Sequence, residues 1–296
     1  MSHLQSFMLK SSLIPCEWCN AKPFLLLSAL FITPHAHASP SNMPVVVLPA
    51  EYVASSRPAL QVSDTAPEVL PPEVPTDPLN SNYPVPWNWV MATYADLKEN
   101  PHPEPRYYRS PALISPDGLY AAYSRIAMQV QEQLFGSRVS SVMFLENLQT
   151  GELQTITASS PLAADSLGGQ GQNQAGAISI LIPVSWSKEG DRLLARQFEG
   201  LFSASDASDY AVVWNRNTKI THTIAPISVQ YTNAVLLGWS TLYPEQVLFQ
   251  AGLLGEENWP LWAVNLDSQT TQANDDKPIV YGRFQQPAWT GPQARW

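Results

Sequence analysis

Two adjacent glutamates, Glu256 and Glu257, stand just ahead of Trp259 and Trp262. Carboxylates beside tryptophans are the residue types of a sugar-cleaving cleft, where one carboxyl acts as acid and another as nucleophile or base. Neighbouring residues beside a strand point apart, so adjacency is no evidence of a facing pair, and a solvated loop is the plainer reading. Asp206 with Asp209, and Asp275 with Asp276, offer oxygen ligands for calcium. Neither pair matches a twelve-residue EF-hand loop, and solvated turns account for both. Gly168, Gly169, Gly171 and Gly176 are not spaced as GxGxxG and precede the strand-like run AISILIPV, so no phosphate cradle is expected. No GxSxG elbow and no HExxH occur. His102 and His222, about 120 residues apart, are the only histidines beyond residue 38, which argues against a His-based zinc site. No catalytic residue, cofactor or metal is therefore assigned. Aromatic candidates remain: Trp87, Trp89, Trp259 and Trp262 are expected to offer a surface for a peptide or a glycan, and Trp289 and Trp296 are as little constrained.

The elements that would position these groups read as β structure built on an internal repeat. The first copy, about residues 114–158, begins ISPDGLYAAYSRI and continues SSVMFLENLQTGELQTIT. The second, about 186–226, begins WSKEGDRLLARQF and continues DYAVVWNRNTKITHTI. The third, about 239–275, begins WSTLYPEQVLFQAG and continues WPLWAVNLDSQTTQA. In each, an apolar residue and a serine precede a turn, two strands follow, and an asparagine (Asn147, Asn215, Asn265) starts a second turn. Asp117 and Gly118, then Glu189 and Gly190, are the expected turn residues, because glycine tolerates the left-handed backbone and aspartate bonds its own turn. Trp186, Trp214 and Trp239 recur at repeat positions and are expected in the core. A small antiparallel sheet buries too little apolar surface alone, so several must stack.

SPDGLYAAYS and WSKEGDRLLAR resemble the SPDG, WD40-like repeat of TolB-type periplasmic β-propellers. The likeness covers about residues 114–273. It implies four-stranded blades, an exported setting, and a role as a binding scaffold or as a propeller domain beside a hydrolase. The α/β domain that accompanies the propeller in TolB is not recognisable, so no partner-binding residue is carried over. Three blades are recognisable. Residues 87–113 and the tail at Pro278–Phe284 could supply a degenerate fourth; otherwise the stack is open or closes by dimerising.

Residues 1–38 read as a secretory signal, with Lys10 and Lys22 ahead of the nine-residue run FLLLSALFI and the small-residue site Ala36-His37-Ala38. Either Met1 or Met8 is the start. A bilayer span needs roughly 20 apolar residues, so no stable membrane span is expected after cleavage. Cleavage removes Cys16 and Cys19 and leaves 14 basic and 24 acidic residues, a net charge of −10. An acidic, cysteine-free body fits a periplasmic or extracellular space and excludes nucleic acid as a partner. Residues 39–86 hold eleven prolines and read as an extended, disordered tether.

The expectation is thus an all-β, propeller-like stack of antiparallel blades at 87–296 behind a proline-rich segment. It would serve as a non-enzymatic scaffold for a protein or a cell-envelope polymer. The alternatives are an envelope glycan hydrolase using Glu256 or Glu257, and a purely structural repeat domain.

Overall fold

Serine and aspartate at a strand end, followed by glycine, can close a turn locally, and the fold starts from that chemistry. The computed structural model describes residues 77–164, 174–202, 204–205 and 207–293, all within one unit, Pro67–Trp296. The signal segment 1–38 with its cysteines, the tether as far as residue 76, most of the glycine-rich insert, Asp206 and Trp296 lie outside the described residues.

A helix, α1 (Trp87–Leu97), and a strand, β1 (Arg106–Arg109), precede three four-stranded antiparallel meanders. The first comprises β2 (Ala112–Ile114), β3 (Tyr120–Gln129), β4 (Arg138–Asn147) and β5 (Leu153–Ile156). After a short helix, α2 (Pro161–Ala164), come β6 (Ala177–Trp186), β7 (Arg192–Leu201), β8 (Ala207–Asn215) and β9 (Thr221–Ile224). The third meander is β10 (Asn233–Ser240), β11 (Val247–Gly252), β12 (Leu261–Val264) and β13 (Thr270–Gln272). The last three strands of each fall within one sequence copy. The apolar residue and serine that open each copy are the end of, or directly follow, a further strand.

In all three turns the serine hydroxyl bonds a carboxylate, but the acid comes from a different position each time. Ser115 Oγ donates to Asp117 Oδ1 (2.5 Å) and accepts from the Tyr120 N–H (2.9 Å), with Gly118 at φ +71°. In the second copy Ser187 Oγ bonds Asp191 Oδ1 (2.6 Å), so the carboxylate of that turn lies two positions beyond Glu189, while Gly190 keeps φ +72°. In the third copy the nearby acid, Glu245, pairs with Arg192 (3.0 Å), and Asp276 bonds the serine from 36 residues on. Its carboxylate accepts from Ser240 Oγ and from the N–H groups of Thr241, Leu242 and Lys277. Burial pushes the Asp276 carboxyl up, yet those four donors outweigh it and hold it below the usual value. The asparagine turns are more uniform: Asn147 Oδ1 accepts from the N–H groups of residues 149 and 150, Asn215 from 217 and 218, Asn265 from 267 and 269.

Alternation along the strands gives the middle meander two apolar faces. Leu193, Ala195, Val212 and Trp214 pack with Leu113, Tyr120, Met143 and Leu145 of the first. Leu194, Ala211 and Val213 pack with Leu236, Trp239, Phe249 and Val264 of the third. The tail then crosses the first strand of every meander. Its β14 (Pro278–Ile279) pairs with β10, Tyr281 bridges Trp186 of β6, and β15 (Arg283–Gln285) pairs with β2. Finally β16 (Gly291–Gln293) pairs with β1, which also pairs with β3. Gly282 stands in this path at φ +98°; a Cβ there would lie 2.8 Å from the Ile114 carbonyl oxygen and 2.9 Å from Trp186.

These additions correct the sequence reading in three places. Residues 87–113 and 278–293 add strands to existing meanders and build no fourth one among the described residues, whose sheets close into neither barrel nor propeller. Trp87 and Trp89, expected at the start of the β body, lie on helix α1. Residues 77–86, expected in the tether, belong to the folded body: Asp77, Ser81 and Val85 are buried. From Ile126 to Gln129, β3 runs on past the turn-proximal half of the first meander. There β3, β4, β6 and β7 outrun the meanders, and β4 meets β6 in parallel at Val139 and Ile178. Val85, Val90 and Leu97 cover Ile126, Met128, Ile180 and Phe198 on this extension.

Candidate functional site: an aromatic cleft

The site depends on how residues 77–86 are held. Arg196, fully buried on β7, donates from Nη1 to Asp77 Oδ2 (2.7 Å) and to the Tyr83 carbonyl (2.6 Å), and from Nε to Asp209 Oδ1 (2.7 Å). Asp77 also accepts from the N–H groups of Leu79 (2.9 Å) and Val85 (2.9 Å), and Asp209 from Leu236 (2.9 Å). One guanidinium therefore ties the entering chain to the second and third meanders. Burial pushes the Asp209 carboxyl up to about 6, with the Arg196 charge opposing. At Asp77, burial is outweighed by the guanidinium and the backbone donors, and its carboxyl is held low. The opposite directions follow from charge: two carboxylates around one guanidinium leave one buried negative charge in excess, and a proton on Asp209 removes it.

So anchored, the segment forms one wall of a cleft of about 630 Å³. Tyr83, Val85, Pro86 and Trp87 come from the segment and the helix start, Trp89 from α1, Tyr108 from β1, Pro183 from β6 and Phe284 from β15. The Trp89 and Tyr108 rings lie 5.4 Å apart, and Trp87 packs on Phe202 at 5.9 Å. Asn82, Asn88 and Gln286 supply amides around these rings. The lining carries no carboxylate, imidazole, ammonium, guanidinium or thiol. Burial raises the phenols of Tyr83 and Tyr108, which keeps them neutral donors.

The four tryptophans singled out from sequence part company here. Trp87 and Trp89 share the cleft. Trp259 lies with Glu256 and Glu257 on a separate polar cavity of about 270 Å³, together with Asn80, Asn82 and Gln250. There Glu256 Oε2 accepts from the Leu253 N–H (3.0 Å), and Trp259 Nε1 donates to the Leu253 carbonyl (3.1 Å). Trp262 packs against the core between the second and third meanders. Asp117 lies on neither cavity; it pairs with Arg216 (2.6 Å) across the first two meanders. Tyr83, Tyr108 and Phe284 were not singled out, since only the fold brings residues so far apart together. Among the described residues no group of three or more His, Cys, Asp or Glu is arranged to hold a metal ion. No helix among them is long and apolar enough to cross a membrane. Neither a protein-family model nor a curated protein matches this chain.

Proposed function

We propose that this chain is an exported, propeller-like binding scaffold that holds a protein partner or an envelope polymer in the aromatic cleft. One observation carries the reading: a cleft of about 630 Å³ walled by tyrosine, tryptophan, phenylalanine and proline, with neutral amides at its sides. Acid–base or nucleophilic catalysis needs an activated group within hydrogen-bond reach of the reacting atom; apart from phenols this lining offers the Ser110 hydroxyl, which is bonded to the Pro111 carbonyl and the Ser124 N–H with no base beside it in the lining. Flat rings beside amide donors and acceptors suit an extended peptide, whose apolar faces stack and whose carbonyls are bonded. The SPDG-like turns and the three stacked meanders support the propeller-like description. The basic and apolar N-terminal pattern supports export.

Truncating a central aromatic anchor costs roughly 2 kcal/mol or more, about 30-fold in affinity. Trp89→Ala combined with Tyr108→Ala is therefore expected to lose a partner that the unaltered protein retains from envelope extract, with the circular dichroism unchanged. Equal recovery by both proteins, or no specific recovery by either, would remove the cleft from the reading.

The cavity shared by Glu256, Glu257, Trp259 and Gln250 favours a second reading, glycan hydrolysis. Glu256→Gln and Glu257→Gln should each abolish release of reducing sugar from envelope glycans if it holds. Activity that survives both, or no activity in the unaltered protein, would end it.

A further inference from the structure

The outer face of the first meander carries a charge pattern that the cleft does not use. Arg109 on β1 and Arg125 on β3 are directly opposed in register. Like charges facing each other across strands destabilise a sheet. The two tyrosines two positions away on the same strands and face, Tyr107 and Tyr123, receive these cations diagonally. The Arg125 guanidinium lies 4.0 Å from the Tyr107 ring centre and Arg109 lies 3.7 Å from that of Tyr123. The result is a checkerboard of two arginines and two tyrosines. Trp289, 55 % exposed, stands 5.3 Å from Arg109, and Phe144 stacks on Tyr123 at 5.7 Å. Among the described residues no carboxylate lies within 4 Å of either guanidinium, and Arg109 Nε is buried with no hydrogen-bond partner.

We propose that this face binds a polyanionic glycan strand, its acid groups on the Arg109 and Arg125 guanidinium edges and its sugar rings against Trp289 and Phe144. A chain with net charge −9 has concentrated two opposed arginines, neither paired to a carboxylate, on one sheet face, and an anion arriving there relieves their repulsion. The arginines are planar forks held by stacking, the form in which a guanidinium meets a carboxylate, sulfate or phosphate with two bonds. Peptide addition along this edge is blocked, because β1 is already paired on both sides, with β3 and β16. A nucleic acid, with one charge per ≈ 1.7 Å of duplex, meets the acidic remainder of the surface far more strongly than a glycan with one charge per ring. This site is separate from the cleft, since Tyr107 and Arg109 point away from the face that carries Tyr108.

The test is titration of the purified protein with polygalacturonate, dextran sulfate, neutral dextran and poly-L-glutamate by calorimetry at two salt concentrations. Polygalacturonate or dextran sulfate is expected to bind, more weakly as salt rises; neutral dextran is not, and poly-L-glutamate should bind at least tenfold more weakly. Arg125→Gln should weaken glycan binding at least tenfold without moving the melting temperature downward, since it removes a like-charge opposition. Arg109→Lys, which keeps the charge but not the planar stack, should weaken it as well. Failure of both charged glycans to bind would overturn the proposal. So would unchanged binding by Arg125→Gln, and poly-L-glutamate binding as tightly as the glycans would assign the face to an acidic protein instead.

Discussion

Arg196→Ala is expected to cost about 3–5 kcal/mol of stability, the range for removing one partner from a buried ion pair. The side chain is fully buried, and so are the carboxylates of Asp77 and Asp209 that it bonds. Without it, two carboxyl groups remain in an apolar setting, each satisfied only by backbone N–H groups. The loss should not be uniform across the molecule. Residues 77–86 lose both the Asp77 link and the bond to the Tyr83 carbonyl, so that segment should become protease-sensitive first, and the cleft wall that holds Tyr83 and Val85 goes with it. Chemical denaturation and limited proteolysis read both effects. A stability loss under about 1 kcal/mol, or cleavage that begins elsewhere, would show that the triad does not anchor the segment. The triple change Asp77→Asn, Arg196→Met, Asp209→Asn should recover part of the loss, because replacing a buried ionic cluster as a whole leaves no unpaired charge.

The same triad sets a pH dependence. In the folded protein the Asp209 carboxyl titrates at about 6, above the ordinary aspartate value. A raised folded pKa means that the folded state holds the proton more tightly than the unfolded chain. The associated stability is fully present below roughly pH 4 and is lost as pH rises through 6. Asp77 acts in the other sense: its carboxyl is held low, so its contribution is present above roughly pH 4 and disappears as pH falls further. Stability is therefore expected to peak near pH 4 and to fall toward pH 7 by on the order of 2–3 kcal/mol. Asp209→Asn should flatten that fall. A denaturation midpoint that rises from pH 5 to 7 in the unaltered protein, or a slope that survives Asp209→Asn, would contradict the assignment.

What the sequence disclosed was local. Ser115-Pro116-Asp117-Gly118 and the three asparagine turns bond within five residues, so their chemistry is written in adjacent letters. The repeat tryptophans were legible for the same reason, each fixed relative to a turn. The third copy carries no Asp-Gly pair, and the acid that bonds its serine, Asp276, lies beyond the copy. The tether boundary was misplaced because composition outweighed a single residue. Residues 77–86 are rich in proline, and nothing near Asp77 announces a partner 119 positions away. The cleft was half legible: Trp87 and Trp89 stand out as exposed-type aromatics ahead of the first strand. Tyr108 and Phe284 meet them only because β1 and β15 are both laid against the first meander. The arginine–tyrosine checkerboard is likewise a register effect, since RYYR and YSR carry no signal until Arg109 is set opposite Arg125.

Trp186→Ala is expected to cost about 3–5 kcal/mol as well, the range for deleting a buried large aromatic, and to do so by uncoupling the meanders. Trp186 is fully buried in the cluster between the first and second meanders and sits edge-on to Trp214 at 6.5 Å. Its indole Nε1 donates to the Leu113 carbonyl of β2 (3.3 Å). Its carbonyl accepts from Trp239 Nε1 of β10 (2.8 Å), and its own N–H donates to the Tyr281 carbonyl of the tail (3.0 Å). One residue thus touches all three meanders and the strap that crosses them. In a body of this size each 1 kcal/mol moves the melting temperature by roughly 2–4 °C, so a drop of roughly 10 °C is expected. Trp186→Phe separates the two contributions: it keeps most of the ring and loses only the bond to Leu113, so about 1–2 kcal/mol should go. Leu254→Ala, at a side chain 60 % exposed, should change stability by no more than about 0.5 kcal/mol. If Trp186→Ala behaved like Leu254→Ala, the stacking of the meanders would have to rest on the strand pairing of the tail alone. Hydrogen exchange distinguishes the two: if the Trp186 ring holds the first two meanders, amides of β2 and β6 lose protection together in Trp186→Ala, whose main chain keeps the bonds to Trp239 and Tyr281, whereas a tail-held stack would lose protection only when residues 278–293 detach.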